Sequence, residues 1–326
     1  MDLISLDDVN RAADVIEGVA VRTPLLPARW AQERGGDATG DGGLWLKPES
    51  LQPIGAFKIR GAYHAIASLP AGRRAAGVIA HSSGNHAQAV AYAARAFSVP
   101  CVVVMPNVSA PTKIAATEAL GARVVLVEPD QREIVTSELA EAEGYAIIPP
   151  YDHPDVIAGQ GTVGLEIVAD LPIVDVVLVP VGGGGLASGV ATAVKALRPS
   201  TAVIGVEPEL AADAQESLRE GRLISWSAER TYRTAADGLR TPTSELTLAH
   251  LAARLDGIIT VSEDEILDTV GQLARSARLV VEPSGAVSVA GYLHHRSELP
   301  PGLTVAVISG GNIDPALLAR LVTPAA

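Results

Sequence analysis

From Val176 to Val194 the chain carries no charged side chain, over a length close to that of a membrane-spanning helix. The middle of the run rules such a helix out, because Pro180 and the four glycines Gly182 to Gly185 break it. What remains is a β-rich half, Val176-Val177-Leu178-Val179, then a glycine turn, then a helix of small residues opening near Leu186. Unhindered backbone N–H groups converge there on a helix N-terminus, which suits a phosphate or another anion. Gly182, Gly184 and Ala187 also fit the dinucleotide pattern G-x-G-x-x-A, and Glu207 ends the next strand about where a ribose ligand would stand. Taken alone, the segment admits a nicotinamide cofactor as readily as any other phosphorylated ligand.

The same alternation runs through the chain. Val78 to Ala80, Val102 to Met105 and Val124 to Val127 are β-branched runs, followed by the amphipathic stretches Ala87 to Phe97, Thr112 to Leu120 and Glu133 to Glu143. A second series reads helix over Ile157 to Leu171, strand over Val176 to Val179, helix over Leu186 to Leu197 and strand over Ala202 to Val206. Helices over Glu263 to Ala277 and Gly285 to His294, then a strand over Val305 to Ile308, complete it. This pattern predicts an α/β fold with parallel strands, flanking helices and a ligand crevice at the carboxyl ends of the strands. At roughly 150 residues per domain, 326 residues predict about two domains.

Charge and cysteine narrow the function. The balance of 25 basic and 37 acidic residues, −12 in all, argues against nucleic acid or an anionic membrane surface as partner. Cys101 is the only cysteine and sits in an apolar run, so a buried, inert thiol is expected and no disulfide or cysteine zinc site. The start of the chain is acidic where a secretory signal would be basic, with Ser5 and Asp8 as a capping box, which predicts a cytoplasmic protein. Gly35 to Gly43 reads as a surface loop.

Three further segments carry chemistry. In Gly55-Ala56-Phe57-Lys58-Ile59-Arg60-Gly61 a lysine stands at a turn into a helix among small and aromatic residues, where a partly apolar setting would favour its neutral form and Schiff-base chemistry with a carbonyl. His81-Ser82-Ser83-Gly84-Asn85-His86 follows a strand and offers hydroxyls, an amide and helix N–H groups to a carboxylate or phenolate. Ser309-Gly310-Gly311-Asn312 again follows a strand. The His81 and His86 spacing is not that of a helical zinc pair, and no G-x-S-x-G elbow occurs.

Together these four motifs resemble the fold-type II pyridoxal-phosphate enzymes of the tryptophan synthase β-like architecture, a resemblance that runs from about Thr23 to Asn312. Within that group they resemble the serine/threonine dehydratase and serine racemase family. The resemblance implies pyridoxal 5'-phosphate in a cleft between a large domain (residues 1–75 and 152–326) and a small one (residues 76–151), and a homodimer. It implies that Lys58 carries the cofactor and takes the substrate's α-proton, that Phe57 packs on the ring, and that Asn85 bonds the phenolate oxygen. Gly182, Gly183, Gly184, Gly185 and Leu186 would hold the phosphate, and Ser309 would face the ring nitrogen. A hydroxyl there makes the ring a weaker electron sink than a carboxylate would, which suits β-elimination more than transamination.

For the substrate, Ser82, Ser83, Asn85 and His86 are implied, with Arg132, Tyr151 and Thr241 as further contacts. Ser83 has two open roles, carboxylate contact or proton donor to the opposite face of Cα, as in the racemases. The segment Glu207 to Asp213 resembles the family's divalent-cation site, with Glu207, the Ala211 carbonyl and Asp213 as oxygen ligands for Mg²⁺, Ca²⁺ or Mn²⁺. Ala56 departs from the serine common in the family, and the Tyr151 phenol could accept a larger or more polar side chain than that of serine. The expected reaction is deamination of L-serine or L-threonine to a 2-oxo acid and ammonia. Serine racemisation and dehydration of 3-hydroxyaspartate or another hydroxy-amino acid are the alternatives inside the family, and a nicotinamide oxidoreductase the alternative outside it. A regulatory domain after the Ser309 motif, and with it isoleucine feedback, is not expected.

Overall fold

A computed structural model describes residues 2–32 and 43–323. The predicted loop at Gly35 to Gly43 lies, but for its last residue, outside them. Among the described residues ten strands form two sheets: β1 (Leu26–Pro27), β2 (Leu44–Pro48), β3 (Val78–His81), β4 (Cys101–Pro106), β5 (Arg123–Val127), β6 (Ala146–Ile147), β7 (Val176–Pro180), β8 (Ala202–Pro208), β9 (Gly257–Val261) and β10 (Thr304–Ile308). One sheet runs β1-β2-β10-β7-β8-β9 and the other β5-β4-β3-β6. Every pairing is parallel except β1 with β2, as expected where helices cross between Val/Ile-rich strands buried on both faces. All five residues of β7 and of β10 are buried, and the burial of β7 with the helix that follows it accounts for the uncharged run from Val176 to Val194.

Local signals set the helices. The Ser5–Asp8 capping box forms and starts the helix Leu6–Ile16, which buries Val9, Ala12 and Ile16 along one face. Boxes at Ser244 and Ser262 start Glu245–Arg254 and Glu263–Gln272. The predicted helix over Glu263 to Ala277 is not uniform: after Gln272 it widens to a π turn, Leu273–Ala277, and stops at Arg278 in the left-handed region, φ +62°. The helical winding ends at Ala277 as expected, and the change from α to π inside it is what no charge pattern marks.

The helix Lys58–Ser68 joins the two halves. Its Ile59, Ala62, Ala65 and Ile66 pack into the core built on β3 and β4, with Val78, Ala80 and Val103. It also lies against the helix Pro154–Asp170. No described helix is long and apolar enough to cross a membrane. Cys101 is buried, and burial pushes its thiol up to about 12.

Candidate active site

The three polar segments all leave the carboxyl ends of strands, β3, β7 and β10, and a continuous series of contacts links the last two through the Lys58 segment, with Asn85 of the first joined to Asn312. A Cβ on Gly182 would stand 2.8 Å from Leu239 Cα. Beside Leu239, Gly238 N donates to Ser284 Oγ at 2.8 Å, and Ser309 Oγ donates to the Ser284 carbonyl at 3.3 Å. Phe57 N donates to the Ser309 carbonyl at 3.1 Å, which seats the start of the Lys58 helix on the end of β10. Lys58 Nζ donates to the Pro150 carbonyl at 2.7 Å, and the ring of the next residue, Tyr151, lies 2.6 Å from where a Cβ on Gly183 would be. The ring of contacts thus closes back on the tetraglycine turn.

The turn tolerates nothing larger than glycine. A Cβ on Gly184 would meet Thr247 Cβ at 2.9 Å, and one on Gly185 would meet Tyr151 Cβ at 2.9 Å. Gly184 adopts φ +85° as N-cap of the helix Gly185–Leu197, with no side chain satisfying the N–H groups at that end. Leu186 is buried in the first turn behind them. Lys58 is half-buried, and desolvation lowers its amine to about 8. Its Nζ also lies 5.1 Å from the Phe57 ring centroid.

Asn85 sits at the first turn of the helix Asn85–Phe97, where its amide is held on both sides. Nδ2 donates to Glu282 Oε1 at 2.6 Å, and Oδ1 accepts from Asn312 Nδ2 at 2.7 Å. Glu282 was not among the residues read from the sequence. It is buried, and burial, reinforced by Asp237, pushes its carboxyl up to about 7. Its one sequence signal is local: an acid directly before Pro283, which opens the helix Pro283–His294. Lys113 bonds Asp237 at 3.0 Å beside this group.

The other predicted contacts are less tightly gathered. Ser82 Oγ accepts from Gly84 N at 3.2 Å, and Ser83 makes no hydrogen bond among the described residues. His86 is buried with Nε2 2.8 Å from the Ile148 carbonyl, and desolvation takes it down to about 3, so it is neutral and donates to that carbonyl. Tyr151 is raised to about 12, mainly by desolvation. The Arg132 side chain donates to the Pro129 carbonyl at 2.8 Å at the start of its own helix, and Thr241 is exposed. The structure brings neither to the ring of contacts. Ala56, fully buried, bridges Gly310 through the backbone and so tightens that same junction.

Glu207 accepts from Ala214 N at 3.1 Å and Gln215 N at 2.7 Å, capping the helix Asp213–Glu220. It is therefore occupied by its own fold and is not free as a ribose ligand. Asp213 is buried with Oδ2 unpartnered, and burial pushes its carboxyl up to about 6. Among the described residues there is no group of three or more His, Cys, Asp or Glu side chains around a cation position.

Comparison with known proteins settles the class. Residues 16–310 match the family described as pyridoxal-phosphate dependent enzyme. The L-threo-3-hydroxyaspartate ammonia-lyase of Saccharomyces cerevisiae is 40% identical over 97% of this chain and 95% of its own length. The L-threonine ammonia-lyase of Thermotoga maritima is 42% identical over 98% of this chain and 78% of its own. The structure of maize serine racemase superposes with a TM-score of 0.91 at 32% identity, covering 98% and 97% of the two chains. The chain belongs to the pyridoxal-phosphate dependent enzymes of fold type II. Within them it falls in the serine/threonine dehydratase and serine racemase group and is an enzyme of the ammonia-lyase type. The family is one of pyridoxal-phosphate enzymes and not of nicotinamide oxidoreductases, which overturns the dinucleotide reading of Gly182, Gly184 and Ala187.

The residues present fit that cofactor. A glycine turn that no Cβ could enter ends on uncapped helix N–H groups, and a desolvated amine hangs from the neighbouring helix.

Proposed function

We propose that the chain deaminates L-serine or L-threonine to a 2-oxo acid and ammonia. The observation that carries this reading is the placement of the Lys58 amine, which bonds the Pro150 carbonyl next to Tyr151 and so stands beside the tetraglycine turn, where desolvation lowers it to about 8 and favours the neutral form. Gly182 to Gly185 would hold the cofactor's phosphate, Asn85 its phenolate oxygen and Ser309 its ring nitrogen. Pyridoxal phosphate, when bound, supplies a ring that accepts electron density from an amino acid's α-carbon. Lys58 Nζ would take the α-proton as the β-carbon to oxygen bond breaks and the hydroxyl leaves as water, and hydrolysis would then release ammonia. Ser82 and Ser83 would hold the carboxylate and Tyr151 would face the side chain, while His86 would hold the adjoining backbone. Arg132 and Thr241 would contact substrate only if their segments shift.

Two observations favour second readings. The Ser83 hydroxyl, without a hydrogen bond among the described residues, is free to protonate Cα from the other face, which supports racemase activity. The 40% identity to a 3-hydroxyaspartate ammonia-lyase supports that substrate. Asp213, with its unpartnered oxygen, and the Ala211 carbonyl would contribute to a site for Mg²⁺, Ca²⁺ or Mn²⁺, which Glu207 would join by sharing the oxygens that now accept from Ala214 N and Gln215 N. The small domain over residues 76–151 is supported by the membership of its sheet, β3 to β6, although the helix Lys58–Ser68 shares its core. Half-exposed Leu51 and Val280 support a homodimer, which sedimentation would test.

The purified protein should be yellow, and Lys58→Ala should remove the borohydride-fixed cofactor and slow turnover by roughly a thousandfold or more. A colourless wild type, or cofactor fixed equally in the variant, would sink the proposal. Keto-acid and D-serine formation from serine, threonine and 3-hydroxyaspartate would rank the substrates. Ser83→Ala should remove D-serine formation while sparing most deamination, and parallel loss of both would assign Ser83 to substrate binding.

A further inference from the structure

Arg60 stands two residues beyond Lys58, in the first turn of the same helix, with its guanidinium fully buried. Nε and Nη2 donate to the two oxygens of Glu49 at 2.7 and 2.9 Å, while Nη1 and Nη2 donate to the two oxygens of Glu166 at 2.6 and 2.9 Å. Thr162 Oγ1 accepts from Nη1 and the Val21 carbonyl from Nη2, each at 3.1 Å, so six acceptors share the five N–H groups and one hydrogen of Nη2 is bifurcated. Fully buried Lys47 donates to Glu166 and to the Thr23 carbonyl, both at 2.6 Å. Two cations and two carboxylates close on one another.

Stability alone is a poor reason for such a network, because a well-packed apolar core often does as well. Its placement offers another. The Lys58 helix begins at Phe57 with no side-chain cap and no acid in its first turn, so no capping side chain fixes its rotation. Side chains two apart on a helix point to nearly opposite faces, about 200° apart, so anchoring residue 60 aims residue 58. Glu166 lies on the helix Pro154–Asp170, and the chain enters that helix through Pro150, the acceptor for Lys58 Nζ. The two helices also touch through glycine: a Cβ on Gly159 would stand 2.6 Å from Gly61 Cα. One clamp therefore governs both the amine and its acceptor.

We propose that Arg60, gripped by Glu49 and Glu166, is a positioning residue that fixes where Lys58 Nζ stands and so how readily that amine captures an aldehyde cofactor. The proposal rests on the reading of Lys58 given above. Around the amine lie the Pro150 carbonyl, the Phe57 ring and neutral His86, and no carboxylate bonds it among the described residues.

The test uses full-length Arg60→Lys and Glu166→Gln. Glu166 is 14% exposed, so glutamine there keeps the shape and leaves Glu49 holding Arg60. The wild-type chain has only Lys47, Lys58, Lys113 and Lys195, and Arg60→Lys adds one amine at position 60, so acylation followed by fragmentation mass spectrometry resolves each site, with Lys113 and Lys195 as internal references. The expected result is a pH midpoint for Lys58 labelling at least about one unit above wild type. Capture of pyridoxal phosphate, fixed with borohydride, should be slower by about tenfold, with the reference lysines unchanged. A lowered melting temperature with Lys58 labelling and cofactor capture both within twofold of wild type would overturn the proposal. If Arg60→Lys does not fold, Glu166→Gln decides alone. Lys58→Ala in the same capture assay separates the two ideas: an adduct that survives there sinks the Lys58 reading itself, whereas its loss beside unaffected clamp variants sinks only the clamp.

Discussion

Two groups of buried ionisable side chains lie within one helical turn of each other and meet opposite fates. Around Arg60, burial alone would drive the guanidinium down and Glu49 up, but their mutual bonds win, leaving Arg60 raised and Glu49 lowered, both firmly charged. Around Lys58 burial prevails: the amine falls to about 8 with nothing opposing it, His86 falls to about 3 despite its bond to the Ile148 carbonyl, and Glu282 rises to about 7 despite its bond to Asn85 and the nearby Lys113. The difference is the supply of opposite charge. A scaffold needs its charges fixed, whereas a site that moves protons needs groups near the point of neutrality.

Breaking the paired side should have the largest effect. Glu49→Ala would leave Arg60 short of its bidentate partner in a dry setting and is expected to cost about 3–5 kcal/mol, read from urea unfolding. A loss under about 1 kcal/mol would mean that water enters and the region is not dry.

The unpaired side should show itself through pH. In the cofactor-free chain Glu282 titrates at about 7, against an ordinary value of 4.5. Below pH 4.5 it is protonated in both folded and unfolded chains, and its full contribution is present. Between 4.5 and 7 the unfolded chain ionises first, so stability falls by about 3 kcal/mol in total and then levels off. Glu282→Gln should flatten that decline, and an unchanged slope would refute the assignment.

Asp213 gives the smallest and most conditional effect. At pH 7 its carboxylate is buried without a full set of partners, so Asp213→Asn should stabilise the metal-free chain by about 1 kcal/mol and abolish any rise in melting temperature on adding Mg²⁺. Destabilisation without added metal would place a partner on Oδ2 that the geometry does not show.

What the sequence made legible follows the same division. The tetraglycine turn, the Lys58 segment, the strand-end serines and most helix positions are local signals, visible within a dozen residues. Glu282 and the Arg60 network are not, because their partners lie far along the chain: Asn85 is 197 residues from Glu282, and Glu166 is 106 from Arg60. The network did leave a trace, since Lys47 and Glu49 directly follow the apolar run Leu44-Trp45-Leu46. Charges placed there need buried partners, but no local rule names them. Arg132 and Thr241 came from resemblance alone, with no local pattern behind them, and they are the two that the structure leaves apart.

The ring of contacts around Lys58 draws on residues near positions 57, 85, 150, 183, 239, 284 and 309, almost the full length of the polypeptide. A nascent chain emerging from the ribosome can form the smaller sheet early, yet the pocket has no floor until β10 has been translated and inserted between β2 and β7. Capture of the vitamin-derived aldehyde is thus a late event in biogenesis, and a chain truncated before Ser309 should emerge colourless.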